Sequence, residues 1–236
     1  MKQIAAFTVT HWENIVVLIW FFICFRGYAL FASRAAKTTN CLARMLHQYR
    51  LEWMHQLLQR EHRVADASFI ANLERSVTFF ASTTMLILAG LITVLGSTDK
   101  AIDVVSDIPF VTQASTAEWE MKLLLLILVF SYAFFKFTWS LRQYGFASVM
   151  IGATPMSGSE LSESASHAHA KRNANMMSLA ANNFNKGLRT YYFSLAILTW
   201  FINSWLFAAM SLFMVWILYR REFRSRTLYE LTLSRP

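Results

Sequence analysis

Apolar residues along this chain fall into four long blocks separated by polar stretches. The blocks run from Trp12 to about Phe31, from Val77 to Leu95, from Met121 to about Leu141, and from Tyr191 to Tyr219. About twenty residues at a rise of roughly 1.5 Å per residue make about 30 Å, the thickness of the hydrocarbon core of a bilayer. Only helices or closed barrels satisfy their backbone there. The pattern therefore predicts an all-α fold: an integral membrane helical bundle with four transmembrane helices plus cytoplasmic amphipathic helices, forming one membrane domain over residues 1–236. The fourth block is longer than a crossing needs, so it tilts, projects, or breaks near Asn203-Ser204. A cleavable signal peptide fits the first block poorly, because Arg26 interrupts it and no clean A-x-A site follows.

The connections carry patterns of their own. In segment 32–76, Leu42, Met45, Leu46, Tyr49, Trp53 and Leu57 recur at three- and four-residue steps, with Arg44, Gln48, Glu52, Gln59 and Arg63 on other faces. This spacing predicts a basic amphipathic helix lying on the inner membrane surface or against a partner helix. Asp66 and Ser68 are candidate caps for a helix continuing into the second span. Segment 152–172, rich in Gly, Ser, Ala and Pro, reads as a mobile cytoplasmic stretch. Asn173–Arg189 reads as a short polar helix feeding the fourth span.

Composition sharpens this picture. Hydrophobic residues make up 56% and charged residues 15% of the chain, against about 45–50% and about 25% in soluble domains. Disordered, collagen-like and disulfide-stapled classes are excluded. The net charge of +8 would point to nucleic acid in a soluble protein. Here it reads as the cytoplasmic excess of Lys and Arg, so nucleic acid is not an expected partner. Segment 32–76 holds seven Lys or Arg and segment 142–190 holds five, whereas 97–120 holds only Lys100 beside five acids. The first and third connections are thus expected inside, the second outside, and the N-terminus outside a bacterial inner membrane. Arg220, Arg221, Arg224 and Arg226 conflict with an external tail, and a turn at Asn203-Ser204 would remove the conflict.

The candidate chemistry is electrostatic. Arg26 and Lys136 each lie five residues before the cytoplasmic end of a span. Arg75 and Arg189 stand at two entrances and Arg142 at an exit, with no carboxylate in any span at that depth. Two readings follow: long side chains snorkelling to lipid phosphates, or a basic constriction that binds or conducts an anion. Ser82, Thr83, Ser140 and Asn203 are candidates for polar packing between helices. Glu52-x-x-His55 is half of a di-iron motif whose other ligands are missing from the spans. Glu163, His167 and His169 could offer metal ligands, but His167 and His169, separated by one residue, do not share a helix face, which argues against a closed metal site. Asp99, Asp103 and Asp107 form an acidic stripe ended by Pro109, and Cys24 and Cys41 lack paired spacing. No nucleophile, phosphate-loop or metalloprotease motif is present, so neither an enzyme nor a cofactor is expected.

Several longer motifs stand out. Arg50-x-x-Trp53-Met54 is followed by Arg60, Arg63 and Asp66, then by Phe79-Phe80-Ala81-Ser82-Thr83. Glu120-x-Lys122 precedes Phe134-Phe135-Lys136-Phe137-x-Trp139-Ser140-x-Arg142-Gln143-Tyr144. Asn185-x-Gly187-Leu188-Arg189-x-Tyr191-Tyr192 and Arg221-Glu222-Phe223-x-Ser225 complete the set. Over roughly residues 10–230 the chain resembles the membrane-protein family known as domain of unknown function 599. The resemblance implies a multi-span protein of bacteria and plants with no established activity, and it directs attention to Lys136, Arg142, Arg189 and Arg221. The expected role is a non-enzymatic, self-associating inner-membrane scaffold or accessory subunit. Its cytoplasmic basic collar of Arg26, Arg75, Lys136, Arg142, Arg189 and Arg221 would bind a protein partner or anionic lipid. The alternative is an oligomeric channel or transporter for an anion or small solute, lined by Arg26 and Lys136.

Overall fold

Residues 12–106, 115–155 and 162–233 are described by the structure, a computed structural model. They form α1 (Trp12–Thr38), α2 (Leu42–Gln59), α3 (Val64–Leu95), α4 (Thr98–Ser106), α5 (Thr116–Gly152), α6 (Glu163–Trp200), α7 (Ser204–Phe223) and α8 (Arg226–Leu233), with no strand among the described residues. The all-α expectation holds. Three helices, α1, α3 and α5, are long and apolar enough to cross a membrane, with mean hydropathies of 2.2, 2.0 and 1.8.

The single fourth span over 191–219 is corrected. The helix stops at Trp200 and restarts at Ser204. Backbone bonds from Phe201 to Leu198 and from Ile202 to Thr199 tighten the last turn of α6. Asn203 then takes an extended conformation, and its side chain accepts the N–H groups of Trp205 at 2.8 Å and Leu206 at 3.2 Å. An asparagine that offers its oxygen to these otherwise unpaired donors starts a new helix. The new helix runs back along the old one. Trp200 stacks on Phe207 at 5.0 Å near the turn, and Arg189 meets Glu222 at 3.8 Å near the open end. The expected mobile segment 152–172 is corrected as well, because 163–172 is the opening of α6. The Ser162 hydroxyl accepts the Ala165 N–H at 3.3 Å, and Ala170 and Ala174 are fully buried. Residues 156–161, and Asp107 and Pro109 of the acidic stripe, lie outside the described residues.

The chain divides into two compact units, and α3, α5 and α6 contribute residues to both. The first unit contains α1, the end of α3 from Ile87, α4, the start of α5 to Phe130, α6 from Arg189, and α7. Its core is aromatic. Val17, Phe21, Cys24, Tyr28 and Ala32 make a buried stripe on α1 at three- and four-residue spacing. Phe21 meets Phe207 at 5.3 Å and Phe193 at 5.8 Å. Such ring pairs contribute about 0.5–1.5 kcal/mol each. At one end of this unit Asn14 joins three other helices. Its amide donates to Glu118 at 3.0 Å, and its carbonyl oxygen accepts from Trp200 Nε1 at 3.0 Å and Ser204 Oγ at 2.9 Å. Beside it, buried Lys122 donates to the carbonyl of Trp200 at 3.0 Å, a cation at the C-terminal end of α6. Helices α1 and α7 run parallel: Trp20 donates to the Ala208 carbonyl at 3.2 Å, and Phe31 meets Phe223 at 5.6 Å.

The second unit contains α2, α3 to Leu86, α5 from Ser131, α6 to Leu188, and α8. Here α5 and α6 pack antiparallel through small residues. Ala133, Ala147, Ala174 and Ala180 have no exposed surface, and Ser140 donates across the seam to the Ala180 carbonyl at 2.7 Å. Asn183 donates to Gln143 at 2.8 Å and Asn173 to Thr154 at 3.0 Å. Phe80, Phe137 and Phe184 form a triangle with centroids 5.5–5.7 Å apart. Helix α2 appears where the amphipathic spacing predicts it, burying Met45, Met54 and Leu57. Helix α8 reaches it through Tyr49, whose hydroxyl donates to the Leu231 carbonyl at 3.2 Å.

Candidate functional site

The open end of the α6–α7 hairpin, in the first unit, gathers two of the six predicted cations. The Arg189 guanidinium lies over the Tyr28 ring at 5.4 Å and is 3.8 Å from the Glu222 carboxylate. Arg221 lies over the Tyr192 ring at 5.2 Å and donates to its hydroxyl. Arg189 thus ties α6 to α1 and α7, and Arg221 ties α7 to α6, because α6 and α7 run in opposite directions and α1 lies alongside. Arg220 and Arg224 extend the cluster, stacked over Trp216 at 5.5 Å and Tyr219 at 5.9 Å. Cation–aromatic stacking holds the guanidinium groups of Arg220, Arg221 and Arg224 in place without neutralising them, whereas Arg189 shares its charge with Glu222.

Arg26 is in the same unit but on the other side of its helix. It is exposed and two residues from both Cys24 and Tyr28, about 200° around the helix from the buried stripe. The other three predicted cations belong to the second unit, and each rests against its own helix. Lys136 lies 5.3 Å from the Tyr132 ring and Arg142 5.5 Å from the Phe146 ring. Arg75 is 3.5 Å from Asn72 Oδ1. These are the poses of long side chains spread over an apolar surface.

The predicted packing residues separate. Ser140 bonds across helices. Asn203 serves as the cap of α7. Ser82 is exposed and Thr83 half-buried, and neither shows a cross-helix hydrogen bond among the described residues. Glu163 and His167 lie one turn apart on α6, and His167 stacks on His55 of α2 at 5.0 Å. Among the described residues no group of three His, Cys, Asp or Glu side chains is placed to hold a metal.

A polar cluster in the second unit escaped the reading of charges. Asp66, expected as a cap, is fully buried. Its Oδ1 accepts from Trp53 Nε1 at 2.6 Å and from Arg60 at 2.5 Å, while Oδ2 has no hydrogen-bond partner among the described residues. Arg63 donates to the carbonyls of Thr154 and Pro155 at 2.7 and 2.5 Å, capping the segment that follows α5. Nearby on α2, His47 is 2.9 Å from Ser178 Oγ and Arg50 is 3.4 Å from the same hydroxyl. Burial, then the neighbouring Arg50 charge, hold the His47 imidazole below its ordinary range. Burial lowers Arg50 itself. The motif Arg50-x-x-Trp53 with Arg60, Arg63 and Asp66 carried the signal for this cluster, although its chemistry was not legible from spacing.

The model of the family described as protein of unknown function, DUF599, matches residues 16–227. The chain belongs to this family. No curated protein and no solved structure matches it. Several residues of the DUF599 motifs read in the sequence contact one another. Trp53 and Arg60 close on Asp66. Arg189-x-x-Tyr192 closes on Arg221-Glu222. Lys122 of Glu120-x-Lys122 fastens the end of α6. Phe137 lies against Gly187, where even a Cβ would come under 3.0 Å from three atoms of the ring. In this DUF599 chain the motif residues hold helix ends and close crossings.

Proposed function

We propose that this protein is a non-catalytic, multi-span protein of the bacterial inner membrane whose basic end holds anionic lipid of the cytoplasmic leaflet, serving as a scaffold or accessory subunit there. The supporting observation is the polarity of the first unit. Its Asn14 end carries Glu13, Glu118 and Glu120, and α4 beside α5 carries Asp99. Its other end carries Arg34, Lys37, Arg189, Arg220, Arg221 and Arg224. Lys and Arg favour the cytoplasmic side. This reading puts the N-terminus and the Phe201–Asn203 turn outside and the C-terminal tail inside. The hairpin thereby removes the conflict that an unbroken fourth span creates. Arg26, directed away from the core, has the position of a lipid contact and not of a pore lining.

The test is stability in nanodiscs of phosphatidylcholine with and without a quarter of phosphatidylglycerol. The anionic lipid is expected to raise the melting temperature by a few degrees, the scale of a ligand that binds only the folded state. Equal melting in the two bilayers overturns the lipid-holding role. Chloride flux above that of empty liposomes, abolished by Arg26→Ala and Lys136→Ala, overturns the non-transport reading.

A further inference from the structure

A groove runs along the first unit between the parallel helices α1 and α7. Its upper part, about 480 Å³, is almost wholly apolar, with Ile23, Gly27, Phe31, Leu212 and Trp216 among its lining. Gly27 and Phe31 continue into a second cavity of about 720 Å³, with a polar rim that includes Arg34 and Thr38. The two cavities share the wall formed by Phe31 and Tyr219, whose rings lie 6.1 Å apart. The absent side chain of Gly27 leaves the floor open, since a Cβ there would meet nothing within 4 Å.

Charge grades in the same direction as the lining. Arg34 is on the rim of the lower cavity. Arg224 stacks on Tyr219, a wall of both cavities, and Arg220 on Trp216, a wall of the upper one. None of these three arginines has a carboxylate partner among the described residues. Glu222, the acid nearest in sequence, faces Arg189.

We propose that this groove is a specific site for an anionic phospholipid, with an acyl chain lying between α1 and α7 and the phosphate held by Arg34 and Arg224. The inference rests on the lipid-holding role above and names its site. A molecule with a long apolar tail and one anionic end matches the sequence of linings along the helix axis. A second copy of this chain does not match. Two copies in one membrane share an orientation, so each would bring Arg34, Arg220 and Arg224 against the same three residues of the other.

The experiment is native mass spectrometry of the full chain, equilibrated with equal amounts of phosphatidylglycerol and phosphatidylcholine in mixed micelles. Two variants accompany the parent. Gly27→Leu fills the groove where no atom stands in the way and replaces glycine by a better helix former. Arg34→Gln with Arg224→Gln removes the phosphate partners. The parent is expected to retain one phosphatidylglycerol with about thirtyfold preference, the scale of two arginines near an anionic headgroup. The double variant is expected to retain a lipid without preference, and Gly27→Leu to retain none while melting as the parent does. Parent-like retention in Gly27→Leu overturns the groove, and parent-like preference in the double variant overturns the phosphate contacts. Loss of a dimer peak in Gly27→Leu assigns the groove to a second copy and overturns the lipid. Nanodisc stabilisation by phosphatidylglycerol that survives in both variants leaves the broader role standing and removes this site alone. No preference in the parent removes both.

Discussion

Asp66 shows how much a single side chain can hold in this protein. Two donors converge on one buried oxygen, and one of them is an arginine whose side chain is 43% exposed. The exposed partner is screened by solvent and contributes less than a buried ion pair. The indole N–H of half-buried Trp53 faces the same fully buried oxygen at 2.6 Å. Asp66→Ala strands Trp53 Nε1 and the end of Arg60, and the expected loss is about 2–4 kcal/mol in a reversible unfolding titration in detergent. Asp66→Asn keeps an oxygen for Trp53 and is expected to cost less than half as much. Equal stability of the alanine variant and the parent would remove any structural role for the cluster. The sequence shows these residues as a motif, with Trp53 in the apolar stripe of α2 and Asp66 as a candidate cap. A carboxylate just before a helical stretch has the same spacing whether it caps a helix or accepts an indole. Only the fold of α2 against α3 decides between them.

At the scale of elements, periodicity located α2, because Met45 and Leu57 are buried as their spacing requires. It also located the apolar parts of α1, α3 and α5. It joined two helices at 201–203, because Phe201 and Ile202 are apolar and the turn contains neither glycine nor proline. The informative residue is Asn203, a good helix cap, which the sequence offers both as a packing residue and as the point where the block breaks or turns back. A second tight element is the crossing of α5 and α6 at Gly187. Phe137 cannot retreat there, since its ring is fully buried and flanked by Phe80 and Phe184. Gly187→Ala is therefore expected to destabilise the fold by about 1–3 kcal/mol despite alanine's better helix propensity. Combining it with Phe137→Leu is expected to recover most of that loss, with both measured by thermal melting. An alanine variant as stable as the parent would show that the crossing relaxes freely.

For the molecule as a whole, the positions of Lys and Arg in the sequence announced an oriented membrane protein and also a contradiction at its tail. The contradiction came from counting one crossing in place of a hairpin. With the chain turned at Asn203, Arg220 and Arg221 lie at the same end of the first unit as Arg189, which requires a cytoplasmic C-terminus in the proposed orientation. A C-terminal fusion is expected to be active with a cytoplasmic reporter and silent with a periplasmic one. The reverse result would overturn the orientation. The six-residue collar was legible only in part, since spacing along separate helices fixes depth but not facing. Arg189 and Arg221 turned inward to aromatic partners, and Arg26 turned out. Cys24 lines the apolar groove, whereas Cys41 has no exposed surface. Cys24 borders the groove from the buried face of α1, so a lipid seated in the proposed site would cover its thiol: a small, bilayer-permeant maleimide is expected to alkylate Cys24 more slowly in phosphatidylglycerol than in phosphatidylcholine, with no residue changed.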